Sequence, residues 1–382
     1  MLLCAHFAIT LLLSFVTQEK RDSHSEKLLF ALVVFLFCVL VAVRPDRNIP
    51  DVDAYRSRYY SGFHDTSIQR ILSLGLLRKS EVYYMNILPS FLTYIFSSAG
   101  ISFEIFSFVL ALTETLVVLK CVAGMLEIWG YKYNLFRVFV MFMAFYGYHY
   151  LFIATAQGLA MMFIFLSLYQ WIRQKRILAV FSVILAILCH AAGLAGIVIL
   201  AVYTLSKRYS NRTYTALWLV SLFVMITGLG ALFSGFTKTV VSRIVNIATT
   251  FYSEYEQYGD APETAARASL ISILICFLSK FIMSADTDRK EYWKLANIFF
   301  ISIVAGAFFG SWEILGRFTD VFLAFIIPIA CMCVYERSFT LVSAGERKIT
   351  LKDGEVLAVN LLCVTKFLSF LYILINYTRL KA

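Results

Sequence analysis

The chain has 382 residues, of which 60% are hydrophobic and only 15% are charged. Soluble domains carry about a quarter charged residues, so this composition excludes a soluble globular protein and indicates a polytopic membrane protein. The formal net charge is +10, but the basic residues cluster in short loops between apolar stretches. This is the positive-inside pattern of membrane proteins, and it gives no reason to expect a nucleic-acid partner.

A helix needs about 20 mostly apolar residues to span a bilayer, and we predict an all-α fold with about 11 to 13 such segments. The candidates are residues 2–16, 28–43, 82–99, 103–125, 135–153, 155–172, 177–205, 214–233, 268–284, 295–310, 316–335 and 356–376. The first lacks the basic start of a signal peptide, so we expect a span that is not cleaved. No repeat or linker separates the stretches, and residues 1–382 are therefore predicted to form a single integral membrane domain.

Charge assigns the loops to two sides. The basic loops at 20–27, 173–176, 207–212, 286–294 and 336–355 are predicted to be cytoplasmic. The loops 44–81 and 234–267 are predicted to lie outside, as is 311–316. The spans between 44 and 172 then have the wrong parity if every candidate crosses. Either one of them is re-entrant, or the amphipathic stretch 68–79 carries the chain across.

The stretch 177–205 lies between two basic loops and is long for one span but short for two. We predict a tight or re-entrant hairpin that turns near His190 and Gly193, at the outer face. His190 is an ionisable group in the middle of this apolar stretch, and such groups usually mark functional sites. The small residues that follow it allow a backbone or a substrate to come close.

Three predicted outer stretches, 44–60, 243–260 and 312–320, combine polar and aromatic residues. Arginine forks bind phosphate, and aromatic faces suit sugar rings, so a site between these stretches fits a pyrophosphate and a glycan. The eight cysteines show no metal-ligand spacing and are predicted to pack as small hydrophobes. The histidines His6, His24 and His64 are predicted to be peripheral, and His149 to lie in an aromatic interface cluster, 146–150.

Four short motifs occur in order along residues 28–330. They are Asp53-Ala54-Tyr55 followed by Phe63; Gln157-Gly158-Leu159-Ala160; Cys189-His190-Ala191-Ala192; and Arg317-Phe318-Thr319-Asp320-Val321-Phe322 leading to Pro328. In this order they resemble the motifs of the EpsG/Wzy-type polymerases of bacterial polysaccharide assembly. One position departs, because Ala156 stands where the family has an arginine before the glutamine. Either another arginine supplies that charge, or the substrate lacks the group that it contacts.

The resemblance implies a protein of the bacterial cytoplasmic (inner) membrane with a C-type glycosyltransferase-like (GT-C-like) helical fold, distantly similar to the O-antigen ligases. It implies an enzyme that joins polyprenyl-diphosphate-linked oligosaccharide repeats of an O-antigen, capsule or exopolysaccharide on the outer (periplasmic) side. Such a glycosyltransferase is expected to need no metal and no other cofactor. The expected partners are the lipid-linked substrate, membrane lipid, a chain-length regulator and a flippase.

Transfer from a lipid diphosphate requires a base for the acceptor hydroxyl and fixed positive charge for the leaving group. The predicted catalytic residues are His190, as general base, Arg317, at the diphosphate, and Asp53, as an alternative base. The predicted substrate-binding residues are Arg243, Tyr55, Gln157, Tyr252, Tyr255, Tyr258, Glu313 and Asp320. The structural alternatives are a hydrogen-bonded His190 between helices and an Arg317 that anchors its span at the interface.

Two other functions are compatible with a polytopic chain of this kind. A flippase or transporter of lipid-linked oligosaccharide should show two pseudo-symmetric halves, which this sequence does not show. A membrane acyltransferase that modifies a glycan also uses an intramembrane histidine, but it needs a route for an acyl donor from the cytoplasm.

Overall fold

The computed structural model describes residues 2–16, 24–44, 50–61, 87–233, 235–236, 270–283, 289–309, 313–338 and 351–379. Within these ranges the chain is almost entirely helical and forms no strand. The predicted all-α class is therefore confirmed.

The first half of the chain forms helices that we number in chain order. They are α1 (Leu2–Val16), α2 (His24–Ala42), α3 (Pro50–Ser61), α4 (Ile87–Ser98), α5 (Phe103–Ile128), α6 (Leu135–Phe142), which continues as a π-helix (Met143–Leu151), α7 (Thr155–Ile172), and α8 (Arg176–Cys189), which is followed by a 3-10 turn (Ala191–Leu194).

The helices of the second half are numbered in the same way. They are α9 (Ala195–Leu205), α10 (Asn211–Thr227), α11 (Leu270–Met283), α12 (Lys290–Phe309), α13 (Glu313–Leu323), α14 (Ile326–Ser338) and α15 (Leu351–Arg379).

Among the described residues, four helices are long and apolar enough to cross a membrane: α2, α5, α7 and α12. Shorter apolar helices accompany them, and the number of crossings stays a prediction. Several helices expose runs of large apolar side chains, such as Leu28, Leu32 and Phe35 on α2 and Ile177, Val180 and Phe181 on α8. Soluble proteins rarely expose such large apolar patches, and here they suit contact with lipid.

Local sequence explains where several helices begin and end. Ser102 caps α5 by accepting the N–H of Ile105 at 3.3 Å, and Ser210 caps α10 by accepting the N–H of Thr213 at 3.2 Å. Gly228 ends α10 with a φ of 73°. Such polar N-caps and left-handed C-terminal residues satisfy the unpaired backbone groups of helix ends.

The predicted span 316–335 is divided in the structure. A turn at Ala324 and Phe325 separates α13 from α14, and Pro328 lies in the first turn of α14. Proline has no N–H and is tolerated in the first turn of a helix but not further in, so it favours a new helix start at this point. The fourth motif therefore extends from α13 into α14.

Helix α5 lies in the interior of the bundle, where it packs against α2, α6 and α7. Near the other end of the chain, α15 packs against the π-helix, α11 and α14. The seven cysteines that the structure describes are free thiols, and all except Cys4 are buried. The prediction that cysteines pack as buried hydrophobes is thus wrong only for Cys4 among these.

Two predictions about histidine neighbourhoods are wrong. His6 is buried, and its Nε2 lies 2.9 Å from the carbonyl oxygen of Val33, so it joins α1 to α2 and is not peripheral. The residues around His149 do not form an interface cluster, because Tyr146, Tyr148 and Tyr150 are at most 1% exposed. Aromatic rings at a membrane interface keep one wet edge, whereas these three are enclosed by other helices.

Candidate functional site

A carboxyl group lies in the middle of the bundle. Glu114, in the middle of α5, is fully buried, and its Oε2 lies 2.8 Å from the phenol oxygen of Tyr146. The same phenol oxygen lies 2.6 Å from the carbonyl oxygen of Gly158 in α7. Tyr146 belongs to the π-helix, a conformation that occurs frequently at functional sites. One hydroxyl thus connects three helical segments.

The two short contacts of Tyr146 determine where the protons lie. A phenol has one proton to donate, while a carbonyl oxygen and a carboxylate only accept. If Tyr146 donates to Gly158, the contact with Glu114 needs a second proton, which only a protonated carboxyl of Glu114 supplies. The pair of distances is therefore satisfied by a neutral Glu114.

The first turn of α7 is held closely against this pair. A Cβ on Gly158 would lie 2.6 Å from Glu114 Oε2 and 3.2 Å from Tyr150 Cβ, so only glycine allows the approach. Gln157, the predicted binding residue just before it, is buried. The hydroxyls of Thr155 and Tyr150 are buried and have no hydrogen-bond partner. The second motif is therefore in an unusually polar part of the core.

The predicted turn near His190 corresponds to a break between α8 and the 3-10 turn. His190 is extended, with φ −165° and ψ 150°, and its Nδ1 accepts the N–H of Ala192 at 3.0 Å. A neutral imidazole has one donor and one acceptor nitrogen, so the proton of the neutral ring is on Nε2. His190 therefore caps the turn with Nδ1, and the neutral ring carries its proton on Nε2.

The backbone of the 3-10 turn lies in close contact with the preceding helix. A Cβ on Gly193 would lie 2.3 Å from the carbonyl carbon and oxygen of Ala186, so the 3-10 turn lies directly on α8. The turn also packs against α7 and α13. Cys189, next to His190, lies near Glu114. The structure thus brings together the second and third motifs and the helix that carries the fourth.

A buried arginine lies near the same carboxyl. Arg44, just after α2, is 5% exposed, donates to the carbonyl of Val41 at 2.8 Å, and leaves its Nε without a partner. Burial lowers the pKa of Arg44 to about 10, and the Glu114 carboxyl acts in the opposite direction. Glu114 Oε1 is also unpartnered.

Asp53-Ala54-Tyr55 of the first motif lies on α3, which contacts the beginning of α5, and Phe63 lies outside the described residues. Asp53 is exposed and Tyr55 is half-buried. The helix is held by an ion pair between Arg56 and Glu104 and by the Tyr59 hydroxyl, which donates to the carbonyl of Ile101 at 2.8 Å. Burial raises the pKa of Tyr59 to about 12, with Tyr60 and Glu104 acting in the same direction.

These contacts of α3 run to the corner between α4 and α5 and do not reach the 3-10 turn of His190. Asp53 is therefore not joined to the other motifs by them.

Several predicted site residues are not open to structural description. Arg243, Tyr252, Tyr255 and Tyr258 lie outside the described residues, and for Glu313 and Arg317 only their helical position in α13 is described. Asp320 is half-buried on the same helix and interacts electrostatically with Tyr150 and Lys366. In the described part of the chain, no group of three or more His, Cys, Asp or Glu residues is arranged to hold a metal ion.

Sequence reasoning missed Glu114, Tyr146 and Arg44. The signal for Glu114 was present, because it is an ionisable residue in the middle of the apolar stretch 103–125, as His190 is in 177–205. Tyr146 was hidden among neighbouring tyrosines. Arg44 was counted with an outer loop, although its side chain is enclosed by the bundle.

The chain was compared with protein families, curated proteins and solved structures. The searches of curated proteins and of solved structures each returned no match. The model of the EpsG family matches residues 27–344, a range that includes all four motifs and most of the described helices. The chain therefore belongs to the EpsG family.

Proposed function

We propose that the chain is a polymerase that joins polyprenyl-diphosphate-linked oligosaccharide repeats on the outer side of the bacterial cytoplasmic membrane, in a transfer that needs no metal. Membership of the EpsG family indicates a polysaccharide polymerase in a membrane. The observation that most supports the specific proposal is the meeting of α7, the His190 turn and α13 beside a buried polar centre.

The reaction has a simple balance of atoms. The acceptor hydroxyl oxygen attacks the anomeric carbon of the donor repeat, and the bond from that carbon to the diphosphate oxygen breaks. The polyprenyl diphosphate leaves with the electron pair, and the hydroxyl proton passes to a base. The protein must orient the hydroxyl, accept its proton and stabilise the charge on the leaving group.

His190 is proposed to act at the reacting groups through Nε2. Because Nδ1 accepts the N–H of Ala192, the neutral ring offers a donor, which suits holding the acceptor hydroxyl or a diphosphate oxygen. As the general base that the sequence predicts, His190 would have to accept the hydroxyl proton. In the neutral ring, however, Nε2 already carries a proton and Nδ1 accepts the N–H of Ala192. In this proposal the proton acceptor is a carboxylate, with Asp53 and Glu313 as candidates.

Arginines are proposed to neutralise the diphosphate. Arg317 and Arg243 keep this predicted role, since a guanidinium stays charged and binds phosphate with two donors. We further propose that Arg44 supplies the charge that the family places at Ala156. It lies near Glu114, whose Oε2 touches the first turn of α7, and it has an unpartnered Nε.

The other predicted residues are proposed to bind the glycan. They are Tyr55, Gln157, Tyr252, Tyr255, Tyr258, Glu313 and Asp320. The same proposal treats residues 1–382 as a single GT-C-like membrane domain with outer loops at 44–81 and 234–267. The packing of α15 against the π-helix supports one domain.

We also propose that α8 and α9 form a re-entrant hairpin. Their 14 and 11 residues correspond to about 21 and 17 Å at about 1.5 Å per residue, less than the roughly 30 Å of a hydrocarbon core. Tyr203, near the end of α9, lies near Arg176 at the start of α8. The start of α8 and the end of α9 therefore lie side by side. Reporters fused after Arg176 and after Ser206 should both read cytoplasmic; opposite readings would mean one continuous span.

The outer position of 234–267 has its own test. An impermeant thiol reagent should label Tyr258→Cys in intact cells, in a background in which Cys4, the exposed cysteine among the seven described, is replaced by serine. Labelling that appears only after the membrane is opened would contradict the proposed side of the reaction.

The activity itself is tested in a strain that lacks the protein. Loss of long surface glycans, with a single repeat retained, is the expected result, and the intact chain should restore the ladder. Loss of all surface glycan would instead identify a flippase. Unchanged length with altered decoration would identify an acyltransferase.

A further inference from the structure

A second polar surface lies away from the candidate site, where several helices end. It consists of residues 127–134, 171–176, 203–209 and 289–294, and we call it the basic-aromatic belt. Within it, exposed arginines lie over aromatic rings: Arg176 is 3.8 Å from the centroid of Trp171, Arg289 is 4.3 Å from Tyr131, and Arg208 is 4.8 Å from Trp293. Contacts of this length are cation–π interactions.

The four segments of the belt are joined to one another. Arg289 Nη1 donates to the carbonyl of Trp129 at 2.9 Å, and the Nζ of Lys294 lies 4.8 Å from the ring centroid of Tyr203. Asn297, one turn beyond the belt, donates from Nδ2 to the carbonyl of Lys207 at 2.9 Å. Tyr203 lies near Arg176, which joins 203–209 to 171–176. The belt is therefore a continuous surface with a defined arrangement of charges, unlike a set of independent solvated loops.

The charge of the belt is strongly positive. Its segments contain nine lysines and arginines and two carboxylates, Glu127 and Glu291, which gives a net charge of +7. Stacking on a ring uses the face of a guanidinium and not its N–H donors. Of these donors, Arg289 Nη1 binds the carbonyl of Trp129, and Arg176 Nη2 binds Gln174 Oε1 at 2.8 Å. The belt thus combines excess positive charge with fork-shaped donors that match phosphate oxygens.

We propose that the basic-aromatic belt binds the headgroups of anionic phospholipids, such as phosphatidylglycerol, in the adjacent leaflet. Clusters of basic residues at the ends of apolar helices are typical of the membrane interface, and anionic headgroups attract such clusters. Because the rings fix the arginines in place, the binding is expected to depend on these three guanidinium groups more than on net charge alone.

The chain offers a matched control for this idea. Next to the three arginines lie three exposed lysines, Lys175, Lys207 and Lys290. A variant with Arg176, Arg208 and Arg289 changed to glutamine loses the same charge, at adjacent positions, as one with the three lysines changed to glutamine. The two variants therefore separate specific sites from diffuse attraction.

The test measures the thermal unfolding midpoint of the full chain in detergent as phosphatidylglycerol, phosphatidylcholine or inorganic phosphate is added. A ligand that binds the folded state raises this midpoint by mass action. Phosphatidylglycerol alone should raise it in the wild type. The arginine variant should need about a hundredfold more of this lipid, and the lysine variant less than about tenfold more.

If both variants lose affinity for phosphatidylglycerol to the same extent, the proposal is overturned, because lipid binding would then depend only on net charge. Phosphatidylcholine as effective as phosphatidylglycerol would overturn it as well. An equal shift with inorganic phosphate would identify a free anion as the ligand. If the triple variants do not fold, the pair Arg208→Gln and Lys207→Gln makes the same comparison one charge at a time. None of these residues belongs to the candidate site, so the glycan ladder separates this outcome from failure of the proposed polymerase.

Discussion

The hydroxyl of Tyr146 lies 2.6 Å from the carbonyl oxygen of Gly158. This contact ties the π-helix to the first turn of α7, and the same oxygen also reaches the buried carboxyl of Glu114. The position of Gln157 and the packing of the His190 turn therefore depend on hydrogen bonds of a residue that does not itself touch the proposed substrate. We regard Tyr146 and Glu114 as positioning residues.

Changing Tyr146→Phe should lower the free energy of unfolding by about 1 to 3 kcal/mol, because Glu114 then loses a buried partner. The ring packing against Phe142, at a centroid distance of 4.9 Å, is kept. The matched control is Tyr148→Phe, in the same π-helix and equally buried, whose hydroxyl forms a weak hydrogen bond to Met143 Sδ at 3.7 Å. Denaturation in detergent should show a smaller loss for the control; equal losses would contradict the role assigned to Tyr146.

Changing Gly158→Ala should reduce both stability and glycan polymerisation, because its Cβ would lie 2.6 Å from Glu114 Oε2. Gly306→Ala in α12 is the control, since nothing lies within 4 Å of its Cβ. Alanine is favoured over glycine in a helix by about 0.5–1 kcal/mol, so the control should be neutral or stabilising. The two thermal midpoints, measured side by side, should move in opposite directions, and a tolerated Gly158→Ala would show that the approach of α7 is loose.

Two substitutions distinguish the role of Nδ1 of His190 from the role of Nε2. Asparagine reproduces the acceptor that caps Ala192 but lacks the reach of Nε2, whereas glutamine reproduces a donor near the position of Nε2. At matched membrane levels, we expect His190→Asn and His190→Ala to lose roughly two to three orders of magnitude of activity, the usual cost of removing one hydrogen-bond donor at the reacting groups. His190→Gln should recover part of the glycan ladder. A fully active asparagine variant would make His190 a structural cap, and an inactive glutamine variant with bound substrate would restore the role of proton acceptor.

Changing Arg44→Met tests whether the buried arginine serves function or folding. Replacement of a buried, poorly paired charge by an apolar side chain is often neutral or stabilising, so the unfolding midpoint should stay equal or rise. The glycan ladder should nevertheless disappear, because the proposed diphosphate contact is lost. Arg212→Gln, at an exposed position of α10, controls for the loss of one positive charge. Normal ladders from Arg44→Met would transfer the role to another arginine.

The variant Arg317→Lys keeps the charge but loses the two-pronged donor. We expect most activity to be lost while the amount of protein in the membrane stays normal. Ladders as long as those of the wild type would mean that Arg317 anchors its helix at the interface. Arg243 or Arg44 would then be the residue that binds the diphosphate.

The apolar pattern of the sequence predicted much of the helical frame. The stretch 155–172 coincides with α7, and 103–125 is α5 shortened by one turn at its end. The break at His190 was also anticipated, from the basic loops on either side of 177–205. These features depend on local composition and helix length, which a sequence contains directly.

The polar centre was less accessible because it depends on contacts between distant segments. The apolar pattern of the sequence does not distinguish a π-helix from an α-helix. It predicts an ordinary helix over 135–153, whereas residues 143–151 form a π-helix. The enclosure of Arg44 and of the 146–150 tyrosines follows from how α2 and α5 pack. Residues 62–86 and 237–269 lie outside the described residues. What the sequence predicts for them, including the parity of the spans, therefore stays a prediction.

The π-helix also makes the chain sensitive to the deletion of single residues in this segment. Nine residues, Met143–Leu151, follow the wider winding, and such stretches occur mostly as bulges in α-helices. Removal of any one of these residues would allow the stretch to rewind as α-helix and would turn the hydroxyl of Tyr146 away from Glu114. Deletions in this segment should therefore reduce function more than a substitution such as Tyr148→Phe, which keeps the winding.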